Sequence, residues 1–195
     1  LQVGLGVRTV ATSRSFSQGN LQQSSNNLDV AIQGNGFFQL TMPDGTIGYT
    51  RDGAFQLDSA GRLVNSGGLL VSGGITVPAN ATNLSIGQDG TVTASIPGTS
   101  TPQSIGTITT ASFVNPAGLE PKGQNIYAES AASGQPNAGT AGANGLGSLM
   151  QGFVETSNVN VVQELVSMIQ TQRAYEMNSK AIQTSDQMLQ KLGQL

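Results

Sequence analysis

The sequence contains no cysteine, no histidine and no tryptophan, and only 10% of its 195 residues are charged. Without cysteine there is no disulfide framework and no thiol chemistry. Without histidine the commonest metal ligand is gone, and so is the commonest general base near neutral pH. Aromatic residues are scarce at 5%. Eight Lys and Arg against eleven Asp and Glu leave a formal charge of only -3. No basic stretch is dense enough for nucleic acid or anionic lipid, and no apolar run approaches the roughly 18 residues that would span a membrane. The chain opens on Leu1 rather than Met, with no signal-peptide pattern, the start expected of a fragment or of the mature part of a longer chain.

Glycine is abundant instead, with 26 residues, and Thr, Ser, Asn and Gln stand where charges are usual. This composition predicts short strands, many tight turns, and surfaces that can meet other surfaces without mutual repulsion. Residues 1–27 form an extended segment. Val3, Leu5 and Val7 alternate with Gly4 and Gly6, Val10 follows, and an edge strand is expected there before a loop over "QGNLQQSSNN". From 28 to 77 the signals are hairpins: Val30 and Ile32, Gly34 and Gly36, Phe37, Phe38 and Leu40, then the turn Asp44-Gly45. Tyr49, the turn Asp52-Gly53, Phe55 with Leu57, and a further turn at Gly61 before Leu63 and Val64 continue the pattern. A hairpin turning at Asp89-Gly90 follows, then apolar Ile105, Ile108 and Phe113, and later Ile126 and Tyr127. Residues 131–147, rich in Gly, Ala and Asn, are expected to be a loop. "SLMQGFVETSN" adds one last strand.

The end of the chain is a helix starting near Val159. Asn160 and Gln163 have capping-box spacing, and Gly193 is a stop signal. Its length is roughly 50 Å at 1.5 Å per residue. Met168, Tyr175, Ile182 and Leu189 recur every seven residues, and the companion column reads Leu165, Gln172, Ser179, Asp186. A heptad column suits a helix wound gently against neighbours, and polar layers fix register at a cost in stability. Glu176 and Lys180 have the favoured i,i+4 order for a helical ion pair. A rod of this length has little to lie on beside a domain of roughly 30 Å, so assembly with other helices is the expected use of the column.

Catalysis would have to rest on carboxylates, Lys, Ser, Thr or Tyr. Asp44, Asp52, Asp58 and Asp89 sit in or beside Gly turns, and the turn role accounts for them. A glycosidase-type pair of Asp52 and Asp58 is the alternative chemistry. "GNG" at 34–36 reads as a bend rather than a phosphate loop. The acids near Asp89 are too few for a calcium loop, and Arg51 could pair locally with Asp52, a contact usually worth little.

"DVAIQGNGFFQL", "YTRDGAFQLDSAGRLV" and "ETSNVNVVQELVSMIQTQRAYEMNSKAIQTSDQMLQKL" together resemble the bacterial flagellar axial proteins of the rod and hook, over nearly the whole chain. The last segment is the most specific and points to the distal rod. The resemblance implies an α+β chain: a mainly antiparallel β outer domain at 28–157 and an inner-core helix of coiled-coil type at 158–195. It also implies an N-terminal helix ahead of Leu1 that this sequence does not include. The implied role is structural, with no enzyme activity and no cofactor: helical homopolymerisation into a hollow tube, reached by export without a cleaved signal. The implied partners are the chain itself, proximal rod proteins, the hook protein and the L and P ring proteins. The expected seam is Leu165, Met168, Gln172, Tyr175, Ser179, Ile182, Asp186 and Leu189, and Gly45, Gly53, Gly61 and Gly90 are the expected structural turns. A hook or proximal-rod relative, or a trimeric fibre-like adhesin or carbohydrate-binding β protein, is the alternative.

Overall fold

Phe37 and Phe38 are neighbours in sequence and belong to different cores. They share a strand, whose side chains point alternately to opposite faces. Phe38 and Leu40 enter the larger cluster with Val30, Ile32, Phe55, Leu63, Val92, Ile108 and Leu149. Phe37 enters a smaller one with Tyr49, Ala111, Phe113 and Leu119. The sheet that carries both is therefore apolar on its two sides, which is why "GFFQL" shows no simple alternation of apolar and polar residues.

The computed structural model describes residues 8, 10, 12, 14–99 and 101–192. The chain divides after Ser157 into two units. The first is built from short strands: β1 Leu21–Gln23, β2 Val30–Gln33, β3 Phe37–Thr41, β4 Ile47–Thr50, β5 Phe55–Leu57, β6 Leu63–Asn65, β7 Leu70–Val71, β8 Asn83–Ile86, β9 Thr91–Ser95, β10 Gln103–Thr107, β11 Thr109–Ser112, β12 Glu120–Gly123, β13 Ile126–Ala128, β14 Asn137–Thr140, β15 Ser148–Gln151 and β16 Phe153–Glu155. The second is one helix, α1, Val161–Leu192. Among the described residues the fold is α+β: mainly antiparallel sheets, no closed barrel, and a single long C-terminal helix.

The main sheet runs β12-β13-β4-β3-β7-β6-β5. One edge of β3 is shared: β11 pairs with its first half and β7 with its second, and β14 extends the sheet beyond β11. Separate sheets are β10-β9-β8, β15-β2 and β1-β16. The last two bring the two ends of this unit together. Gln22 lies opposite Val154, and Thr156 N–H donates to the Asn20 carbonyl at 2.8 Å.

Several expectations are corrected. The 131–147 stretch is not a loop throughout. It holds β14 and buries Ala141 and Leu146, because strand pairing needs only backbone groups and small residues suffice beside β11. "QGNLQQSSNN" contains β1 rather than a plain loop. "SLMQGFVETSN" is two strands, β15 and β16, broken at Gly152, whose φ is 74°. Of the edge strand expected over 3–10, Arg8 and Val10 are described, and both are exposed and outside any strand; its other residues and the stop at Gly193 lie outside the described residues. Gly45, Gly61 and Gly90 have the positive φ their turns require. Gly53 does not; its constraint is space. A Cβ there would lie 1.7 Å from the Val30 carbonyl oxygen and 3.0 Å from the Phe38 ring.

Candidate assembly surface

Asn160 starts α1. Its Oδ1 accepts from the backbone N–H groups of Val162 (3.1 Å) and Gln163 (3.3 Å), satisfying two donors that a helix start leaves open. Glu164 in the first turn and Lys191 in the last match the helix dipole. The regular helix begins at Val161, two residues after the expected start, because Asn160 holds the cap.

All eight expected seam residues lie on this one element. Leu165, Met168, Tyr175, Ile182 and Leu189 are 51–76% exposed. Gln172 and Asp186 are exposed and Ser179 is half-buried. At 100° per residue the apolar column drifts about 20° per heptad, the drift that a shallow left-handed winding corrects. The first turns carry more than that column. Val161, Val162, Leu165, Val166, Met168 and Ile169 cover about 160° of the circumference, and all six are 47–70% exposed. A stripe that wide calls for more than one neighbour. The cue lay in "VNVVQELVSMI", where reading the heptad column alone passed over Val162, Val166 and Ile169. Glu176 and Lys180 do not close into an ion pair. The ion pairs among the described residues are Arg51–Glu155, Arg62–Asp58 and Lys122–Glu120. Holding two long exposed side chains together costs as much entropy as the contact returns.

Arg51 is the residue that sequence reading placed wrongly. It pairs not with Asp52 but with Glu155, 104 positions away, at 2.7 Å. Its guanidinium also donates to the carbonyls of Gly36 (3.0 Å) and Gly34 (2.8 Å), while Glu155 Oε1 accepts from Gly19 N–H at 2.8 Å. One planar fork thus ties the end of β4, the "GNG" bend, the end of β16 and the incoming chain. No local pattern announces such a contact. Phe16 anchors the same incoming stretch, edge-on to Phe37 and Tyr127 at 5.6 and 5.2 Å.

Several acids of the β unit are occupied in turns. Asp44 accepts from the hydroxyl and backbone N–H of Thr46, and Asp89 does the same for Thr91. Asp58 accepts from the backbone of Ala60 and Arg62 and from the Arg62 side chain. These hydrogen bonds hold all three carboxyls below their ordinary range. Asp52 accepts from Ala54 N–H and lines a polar cleft with Asn65, Ser66, Gly67, Gln124 and Asn125. Asp58 is not among the lining residues, so this cleft does not hold the suggested two-carboxylate pair. Burial, and then the charge of Glu129, push the Tyr49 hydroxyl up. Among the described residues no three acids are placed to hold a metal ion, and no helix is long and apolar enough to cross a membrane.

Comparison with known proteins matches residues 31–94 to the flagellar hook protein FlgE/F/G D1 domain. Residues 150–195 match the flagellar basal body rod FlgEFG protein C-terminal region. The chain is 57% identical over 195 residues to the flagellar basal-body rod protein FlgG of Buchnera aphidicola subsp. Schizaphis graminum, covering 100% of this chain and 75% of that protein. It is 47% identical to FlgG of Borreliella burgdorferi over 96% of this chain and 72% of that one. The flagellar hook protein FlgE of Salmonella typhimurium is 40% identical over 59% of this chain and 28% of its own length.

Proposed function

We propose a mode of assembly from the premise that this chain belongs to the FlgG family of flagellar basal-body rod proteins and is a structural subunit of the distal rod. It assembles with related rod and hook proteins into the flagellar axial polymer of the basal body. In our reading α1 is the wall-forming element. Met168, Tyr175, Ile182 and Leu189 seat against helices of neighbouring copies, and Leu165, Gln172, Ser179 and Asp186 form the companion column whose polar layers set register. The observation that carries this is a 32-residue helix whose heptad column consists of large apolar side chains more than half exposed.

The outer β unit then faces the surrounding L and P rings, and proximal rod and hook proteins meet the two ends of the stack. Contacts that do not close on themselves generate an open helical filament, the form a drive shaft crossing the periplasm requires. Export in an unfolded state without a cleaved signal fits a chain with no cysteine to cross-link in transit. No catalytic step is assigned: Asp44, Asp58 and Asp89 serve turns, and Glu155 holds Arg51.

Tyr175→Ala is the test. It removes the largest side chain of the column, far from every strand in sequence. Electron microscopy of the full-length variant is expected to show no rods, while its β unit keeps the native melting temperature. Rods of normal number and stiffness would remove the seam from α1.

A further inference from the structure

Val114 is the most exposed large apolar side chain among the described residues, at 93%, yet the loop that carries it is pinned on both sides. Before it, Phe113 is buried with Phe37 and Tyr49. After it, Asn115 N–H donates to the Ser133 carbonyl at 3.3 Å, and Asn115 Nδ2 donates to the Ala132 carbonyl at 3.0 Å. The turn Pro116–Gly118 follows, and the Gly118 carbonyl accepts from the Ser130 hydroxyl at 2.6 Å. A valine this exposed contributes little burial to its own fold. Held in place beforehand, it loses little conformational freedom on seating elsewhere. On the other side of the main sheet lies a hollow of about 200 Å³, walled by Leu28, Leu57, Val77 and Leu84, with Asn27 and Asn83 in its polar lining. Leu28 and Leu84 pack on the larger core cluster, whereas Val114 adjoins the smaller one across β3. No charged residue lines the hollow, and none occurs between Phe113 and Leu119. An apolar cavity of about 150 Å³ holds a benzene-sized guest, so the hollow has room for an isopropyl group.

We infer that Val114 of one copy seats in the hollow beside Leu57 of a neighbouring copy. The occupant is a second copy of this chain for two reasons. The projecting valine and the hollow lie on opposite sides of one sheet, so a single contact repeated from copy to copy fills both. A helix ahead of Leu1 would cover one side of that sheet and leave the other bare. In addition, a contact between unlike patches leaves a free valine at one end and a free hollow at the other, so it propagates rather than closing. An apolar centre rimmed by uncharged amides sets no like charges of identical subunits against each other. This inference rests on the assembly of the chain with its own copies and adds a contact in the β unit, separate from α1.

The lack of cysteine in this sequence suits a cross-linking test. The full-length subunit carrying Val114→Cys and Leu57→Cys is expressed in cells whose own copy is deleted, and isolated rods are treated with a short bis-maleimide. Denaturing gels are expected to show a ladder of dimers, trimers and higher species, while chains with either cysteine alone stay monomeric. A dimer from Val114→Cys alone would mean that like patches meet. Monomer throughout would mean that something else, such as the helix ahead of Leu1, covers the hollow. Either result overturns the pairing. Val114→Asp places a charge in the hollow and is expected to cut rod number about tenfold or more, at an unchanged melting temperature of the β unit. Native rod number from Val114→Asp overturns the pairing as well. Rods that form without the ladder remove this contact and leave the assembly of the chain intact, and the α1 seam is tested separately by Tyr175→Ala.

Discussion

Gly53 lies so close to the Val30 carbonyl that no side chain fits between them, and Val30 N–H donates back to the Gly53 carbonyl at 3.0 Å. Gly53→Val must push β2 off the turn that follows β4, with an expected loss of more than about 3 kcal/mol. Thermal unfolding followed by circular dichroism measures it, and a native melting curve would show that the backbone yields. Thr110 presents the opposite case. It is fully buried against Phe38, and its hydroxyl has no hydrogen-bond partner among the described residues. Replacing an unsatisfied buried hydroxyl by a methyl of the same shape removes a desolvation penalty. Thr110→Val is expected to raise stability by about 1 kcal/mol, read as a shift in the urea midpoint at unchanged slope.

At the scale of elements, the β unit is held by contacts between strands far apart in sequence. Arg51 and Glu155 are the clearest example, with side chains only 17% and 10% exposed. Arg51→Ala leaves Glu155 without its partner and strips the bend at Gly34 and Gly36 of two donors. The expected cost is about 3 kcal/mol, on the scale of breaking a largely buried pair. Arg51→Lys keeps the charge but not the fork that reaches two carbonyls and a carboxylate at once, so it should recover less than half of that loss. Equal denaturation curves for Lys and Arg at this position would reduce the contact to simple charge attraction. The helix shows the reverse: its regular hydrogen bonds and its Asn160 cap are local, and its large apolar side chains are exposed.

At the scale of the whole molecule, three turn carboxyls contribute to the acid response. Asp44, Asp58 and Asp89 sit below their ordinary values, chiefly through hydrogen bonds from Thr46, Arg62 and Thr91. A depressed carboxyl stabilises the folded state fully above its unfolded pKa, about 3.9. That contribution is lost as pH falls through the lower folded value. The melting temperature of the β unit is therefore expected to be insensitive to these groups from pH 7 to about 5 and to decline below about 4. Asp89→Asn should flatten part of that acid limb in scanning calorimetry. An unchanged limb would remove Asp89 from the account. The two FlgEFG family matches, at 31–94 and 150–195, flank the segment that contributes β10–β14. Through β11 that segment is built into the main sheet against β3.

The sequence by itself determined the local elements and their class. The turns at Asp44-Gly45 and Asp89-Gly90, the strands around Phe37–Leu40 and the long capped helix follow from short-range rules: φ preferences, side-chain hydrogen bonds two residues away, and periodicity. The motifs at 29–64 and 155–192 also carried the family. The tertiary structure alone decided the rest. It turned a Gly- and Ala-rich stretch into β14, because a neighbouring backbone offered hydrogen bonds that no side chain announces. It made Gly53 obligatory through the nearness of Val30 rather than through φ. It sent Arg51 to Glu155 instead of Asp52, because contact energy depends on distance in space, and 104 residues of chain leave no trace of that distance in the order of the letters.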